Sequence, residues 1–82
     1  MIENTSSFLP LSQSPQGKPA RVTALSGDED MNRRLRELGF YEGAMVTVKS
    51  RMPFGGPLVV LVDQFALALR RVEADVILLE FV

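Results

Sequence analysis

Histidine, cysteine and tryptophan are all absent from this chain. Without histidine and cysteine, the usual ligands for zinc or copper, the usual nucleophile and base pairs and any disulfide framework are excluded. Iron could be held only by carboxylates and carbonyls. A small domain without disulfide staples fits a reducing compartment. An excess of one charge is also missing: nine Lys and Arg face ten Asp and Glu, for a net charge of −1, so composition points to neither nucleic acid nor anionic lipid as a partner. A local basic patch remains compatible with that balance. Long apolar runs are missing too, since stretches such as "LVVLV" are far too short to span a bilayer. The opening "MIENTSSFLP" has no basic start followed by an apolar run, so the chain is expected to be cytoplasmic, neither exported nor inserted in a membrane.

With 82 residues, the chain is expected to form one domain over 1–82. A domain this small buries only roughly 60% of its unfolded surface, so nearly every apolar residue is needed for the core. The Ser-, Pro- and Gly-rich beginning reads as a tail that frays over residues 1–8, with "FLPLS" pressing one or two apolar side chains onto the body. "PARVTALSG" then supplies a first full strand around Val22.

The segment "RRLRELGFYEG" ends a helix. Ser26 followed by Glu29 is a capping-box pattern, acidic residues lie early and Arg33, Arg34 and Arg36 late, as the helix dipole favours. Met31, Leu35 and Leu38 recur at helical spacing and predict one apolar stripe. Glu29 with Arg33, Asp30 with Arg34, and Arg33 with Glu37 are spaced as exposed pairs on a solvated face. Gly39 falls where a left-handed residue stops a helix, with Phe40 placed to pack on Leu35. Gly43 opens a strand, because the period changes to two: Ala44, Val46 and Val48 on one face, Met45, Thr47, Lys49 and Arg51 on the other.

"MPFGGP" breaks the next strands apart, with Gly55 and Gly56 as loop glycines. Two fates are open to Met52 and Phe54: folding back as core, or standing out as a contact for another protein. Tyr41, in the turn after the helix, joins them as a candidate contact. "LVVLV", a turn at "DQ", and "FALAL" follow; "RRVEAD" can make one helical turn, and "VILLEFV" closes the chain as a strand. The expected fold is mainly β, a small, partly open β-barrel of about five strands with one inserted helix.

Little here can carry chemistry. "FGGP" lacks the lysine and helix of a phosphate loop, and the serines have no histidine to activate them, so no catalytic residue and no cofactor is expected. Asp28, Glu29 and Asp30 can be imagined as weak oxygen ligands, but helix capping explains them as well. Lys18, Arg21, Arg51, Arg70 and Arg71 would be the residues of a nucleic-acid surface, without interleaved aromatic residues to stack bases.

The order "LSQSPQGKPARVTAL", "RRLRELGF", "EGAMVTV", "PFGGPLVVLV" and "ALALRRVEADVILLEF" resembles the FeoA family, small cytoplasmic accessory proteins of bacterial ferrous-iron uptake, over about Leu9 to Val82. Gln64 departs from the glycine that relatives often place in the "VDQF" turn, which puts the tightness of that hairpin in question. The resemblance implies an SH3-like barrel and a non-enzymatic role with the FeoB transporter, whose cytosolic part hydrolyses GTP. It leaves activation, inhibition and scaffolding open. A nucleic-acid-binding barrel and a weak direct iron carrier are the alternatives, and exposed strand edges leave weak self-association open.

Overall fold

The computed structural model describes residues 8–81. Six strands form one antiparallel sheet: β1 (Phe8–Pro10), β2 (Ala20–Leu25), β3 (Met45–Arg51), β4 (Leu58–Val62), β5 (Phe65–Leu69) and β6 (Ile77–Glu80). They lie in the order β1-β6-β2-β3-β4-β5, and among the described residues the sheet does not close, so β1 and β5 are its edges. Helix α1 (Glu29–Glu37) is inserted between β2 and β3, and the short α2 (Arg71–Ala74) between β5 and β6.

Period-two patterning explains the core. Val46 and Val48 of β3, Leu58, Val60 and Val62 of β4, and Ile77 and Leu79 of β6 are buried, while their neighbours turn away from the core. Leu11, Val22, Leu35, Phe40 and Leu69, with Ala20, Ala44 and Ala74, complete the buried cluster. The sheet is bent by irregularities at two places, between Val22 and Ala24 of β2 and between Val48 and Ser50 of β3. Beyond the second, Arg51 turns its guanidinium onto the carbonyls of Ser12, at 3.2 Å, and of Ser14.

Several expectations are corrected at the chain start and in α1. Of the predicted tail 1–8, residues 1–7 lie outside the described residues, and Phe8 is not frayed: it pairs with Glu80 in β1, a sixth strand. The helix cap is Asp28, whose carboxylate accepts the Met31 amide at 2.8 Å, and not Ser26, whose hydroxyl donates to the Val76 carbonyl. Asn32 explains the later start: its side chain bonds the Leu25 and Gly27 carbonyls and the Gly27 amide, holding that segment out of the helix.

The predicted apolar stripe is also narrower than its spacing suggests. Leu35 is fully buried and Met31 packs against the core, but Leu38 is 42% exposed, because α1 ends before a further turn can press it down. Among the described residues, the i,i+4 pairs give way to other partners. Asp30 meets Arg33 at 2.7 Å, and Arg34 instead reaches Glu73 at 3.4 Å.

Candidate partner-binding surfaces

Gly39 positions the first surface. Its φ of +108° is open to glycine at little cost, and the Phe40 and Gly39 amides donate back to the Leu35 and Arg36 carbonyls at 2.9 and 3.0 Å. This Schellman closure drives Phe40 into the core beside Leu35 and leaves Tyr41 outside, about half exposed. The Tyr41 hydroxyl then donates to Asp63 Oδ2 at 3.0 Å, fastening the helix exit to the β4–β5 turn. That hydrogen bond, then the negative charge of Asp63, and slight burial raise the phenol above its ordinary value.

The β4–β5 turn is tight despite Gln64. Val62 pairs with Phe65 across two residues, and Asp63 supplies the positive φ, +52°. Aspartate tolerates that conformation better than most residues with a side chain, so the glycine is not needed. Phe65, on the same face as the buried Val62, remains 75% exposed at the sheet edge.

The second surface is the β3–β4 loop. Met52 donates its amide to the Pro57 carbonyl at 3.0 Å, and Gly56 to Pro53 at 3.2 Å, closing a turn over Phe54 and Gly55. Both central residues have positive φ, +63° and +74°. Gly56 is required for a different reason: a Cβ there would lie 2.9 Å from the Met52 Cβ. Met52 is more than half exposed and Phe54 is wholly exposed, so neither folds back under the loop. A solvated phenylalanine held in left-handed backbone combines an apolar exposure with a conformational cost of about 1–2 kcal/mol.

The sequence-selected contacts are therefore divided. β4 runs from Leu58 beside the loop to Val62 beside the tyrosine latch, roughly 14 Å at strand rise, so Met52 and Phe54 share one end and Tyr41 stands at the other. Leu38, which helical spacing assigned to the apolar stripe, and Phe65, at the end of β5 beside the Asp63 turn, are further exposed apolar residues.

Sequence reasoning also missed Glu73, which is buried. Its carboxylate accepts the Arg70 amide at 2.9 Å and meets the Arg70 and Arg34 guanidiniums at 3.3 and 3.4 Å, joining α2 to α1. Burial pushes its pKa up, but the Arg70 hydrogen bonds and the charges of Arg70 and Arg34 together outweigh burial and lower it. The i,i+3 spacing of Arg70 and Glu73 was the available signal. A recess of about 240 Å³, lined by Leu9, Pro15, Lys18 and Phe81, lies on the β1–β6 side, with Lys18 Nζ 5.1 Å from the Phe81 ring centre.

The imagined metal trio does not converge: Asp28 caps α1, Asp30 pairs with Arg33, and among the described residues no three metal-capable side chains gather. Four of the five cations considered for nucleic acid lie against groups of this chain. Arg21 faces Glu80 across β2 and β6, Lys18 lies over Phe81, and Arg51 and Arg70 have internal partners. No helix is long and apolar enough to cross a membrane among the described residues.

Known structures share this architecture. FeoA from Chlorobium tepidum is 32% identical, with a TM-score of 0.81 over 90% of this chain and 70% of that one. Zinc-complexed FeoA from Stenotrophomonas maltophilia, described as a prokaryotic SH3 domain protein and a candidate activating factor of bacterial ferrous iron transport, is 36% identical over 84% of this chain and 86% of its own, with a TM-score of 0.73. A manganese-dependent transcriptional repressor, 22% identical, shares the fold with a TM-score of 0.85 over 96% of this chain and 44% of its own. Among curated proteins, none matches this chain. The FeoA domain model matches residues 9–81, which places this SH3-like chain in the FeoA family, associated with ferrous iron transport.

Proposed function

We infer that the chain is a non-enzymatic accessory of bacterial ferrous-iron uptake, acting in the cytoplasm as a single domain. It docks on the cytosolic, GTP-binding part of an FeoB-type transporter and adjusts the transporter's assembly or activity. The family supports the transport context. The observation that carries the docking role is Phe54, fully exposed at positive φ on a loop whose hydrogen bonds hold it out. Strained, solvated apolar residues are costly to keep unless a partner covers them.

In this reading Met52 and Phe54 enter an apolar recess of the transporter, and Tyr41 makes a separate contact at the other end of β4. Iron passes through the transporter and is not held by this chain. The double variant Met52→Ser, Phe54→Ser tests the assignment by calorimetry against the transporter's cytosolic domain. Affinity should fall at least tenfold with the amide spectrum of the fold unchanged. Unaltered affinity would place docking elsewhere on the surface.

A further inference from the structure

The β5 edge has features that a protected edge strand lacks. Natural sheets blunt such edges with lysine, proline, a bulge or a covering element. β5 reads Phe-Ala-Leu-Ala-Leu, with no charge and no proline, and its pairing with β4 runs without a register shift. It is the last strand of the sheet, and no backbone bond covers its outer side among the described residues.

Hydrogen-bond parity fixes which groups that edge offers. The Asp63 amide donates to the Met45 carbonyl, so odd-numbered residues of this end of β4 bond to β3 and even-numbered ones to β5. Val62, Val60 and Leu58 face Phe65, Leu67 and Leu69, whose main-chain groups therefore point inward. Ala66 and Ala68 are left with N–H and C=O directed outward, and both are exposed. Their small side chains leave the edge open to close approach.

We propose that this edge is a self-complementary interface: two copies of the chain pair β5 against β5 antiparallel about a two-fold axis at Leu67. In this register Ala66 of each copy opposes Ala68 of the other, and all the outward groups of both residues are used. A shift of the centre to Ala66 or Ala68 leaves some of them without a strand partner. Phe65 then lies opposite Leu69 of the second copy and diagonal to its Leu67, which covers the ring that is 75% exposed in one chain.

Charge agrees with the same register. Extended past the ends of β5, it brings Asp63, in the β4–β5 turn, toward Arg71, at the start of α2, of the second copy. The aligned core faces join into one twelve-stranded sheet. A five-residue edge is small beside the roughly 1,200–2,000 Å² buried in stable interfaces, so pairing is reversible and concentration-dependent. Met52 and Phe54, at the far side of β4 from Tyr41, are not used, so this inference does not rest on the docking reading above.

Sedimentation equilibrium of the full chain, from ten micromolar to one millimolar, is the test, with amide exchange measured at both extremes. The expected result is a monomer–dimer equilibrium in which the Ala66 and Ala68 amides become at least tenfold better protected at high concentration. Ala68→Pro removes an outward N–H that β4 does not use, a tolerated edge position, and should shift the association to monomer with amide dispersion retained. Arg71→Glu, which places two acids together, should weaken association at least fivefold. A chain that stays monomeric at one millimolar overturns the proposal. So does a dimer indifferent to both variants, and so does protection of Ala66 and Ala68 that appears only on adding the transporter's cytosolic domain, which would identify a foreign strand as the occupant.

Discussion

Tyr41 and Asp63 stand 22 positions apart in sequence, yet the phenol of one donates to the carboxylate of the other at 3.0 Å, joining the exit of α1 to the β4–β5 turn. Because this is the only tyrosine and tryptophan is absent, the phenol can be followed by ultraviolet absorbance without interference. Asp63 holds it above the ordinary value of about 10. The protonated form is favoured in the fold, so the latch contributes fully below about pH 10 and is lost as pH rises through the folded pKa. Asp63→Asn should bring the titration midpoint down toward the ordinary value. An identical midpoint in both proteins would mean that the latch does not form in solution.

Glu73 gives the opposite pH dependence. Its pKa is lowered in the fold: burial opposes the charge, but the Arg70 hydrogen bonds and the Arg70 and Arg34 guanidiniums overcome that. Its contribution is therefore present above the unfolded value, about 4.3, and lost as pH falls through the folded one. Glu73→Gln should cost about 1–2 kcal/mol at neutral pH, limited because both guanidiniums are more than half exposed. Urea midpoints of the two proteins should converge in acid; a constant gap between them would assign the loss to packing.

Gly39→Val tests the helix stop. A Cβ there would have ordinary contact with Val62, at 3.8 Å, so the penalty comes from the backbone at φ +108° and not from a clash. The expected loss is over ~1 kcal/mol in chemical denaturation. An unchanged midpoint would mean that the left-handed turn is not needed to end α1.

Phe54→Asn separates stability from binding. Asparagine accepts a φ of +63° more readily than phenylalanine does, and Phe54 has no buried surface to lose. Stability should rise by up to about 1 kcal/mol while affinity for the transporter's cytosolic domain falls. A lower melting temperature would show that the ring supports the loop in the free protein.

The chain's local punctuation was legible in its sequence. Gly39 stops a helix, Gly43 takes the positive φ of the turn just before β3, and the change of period after it places Ala44, Val46 and Val48 inside. Those signals lie within a few neighbouring residues, and tertiary context did not override them. What could not be read depends on distant partners. β1 exists because Phe8, Leu9 and Pro10 meet β6 some 70 residues later, and three residues with a proline carry no strand pattern of their own. The cap moved from Ser26 to Asp28 because Val76 claims the serine and Asn32 holds the preceding loop. Arg34 leaves its expected helix partner for Glu73, which only the packing of α2 on the same side makes reachable.

The candidate surface was legible in composition but not in arrangement. Two apolar residues in a Gly- and Pro-rich loop were visible, and so was a lone tyrosine in a turn. Their separation along β4 was not, because it follows from strand pairing. Leu38 looked like core by spacing and is uncovered because α1 ends there, while Phe65 is uncovered at the unclosed β5 edge of the sheet.

The most direct test of the docking account is an amide chemical-shift titration of the chain with the cytosolic GTP-binding domain of an FeoB-type transporter, with Fe(II) and a single-stranded oligonucleotide added separately as controls. The account predicts localised shifts over the 52–57 loop, with a smaller set at Tyr41, and no specific response to either control. Shifts confined to other residues, or a saturating response to a control alone, would contradict it.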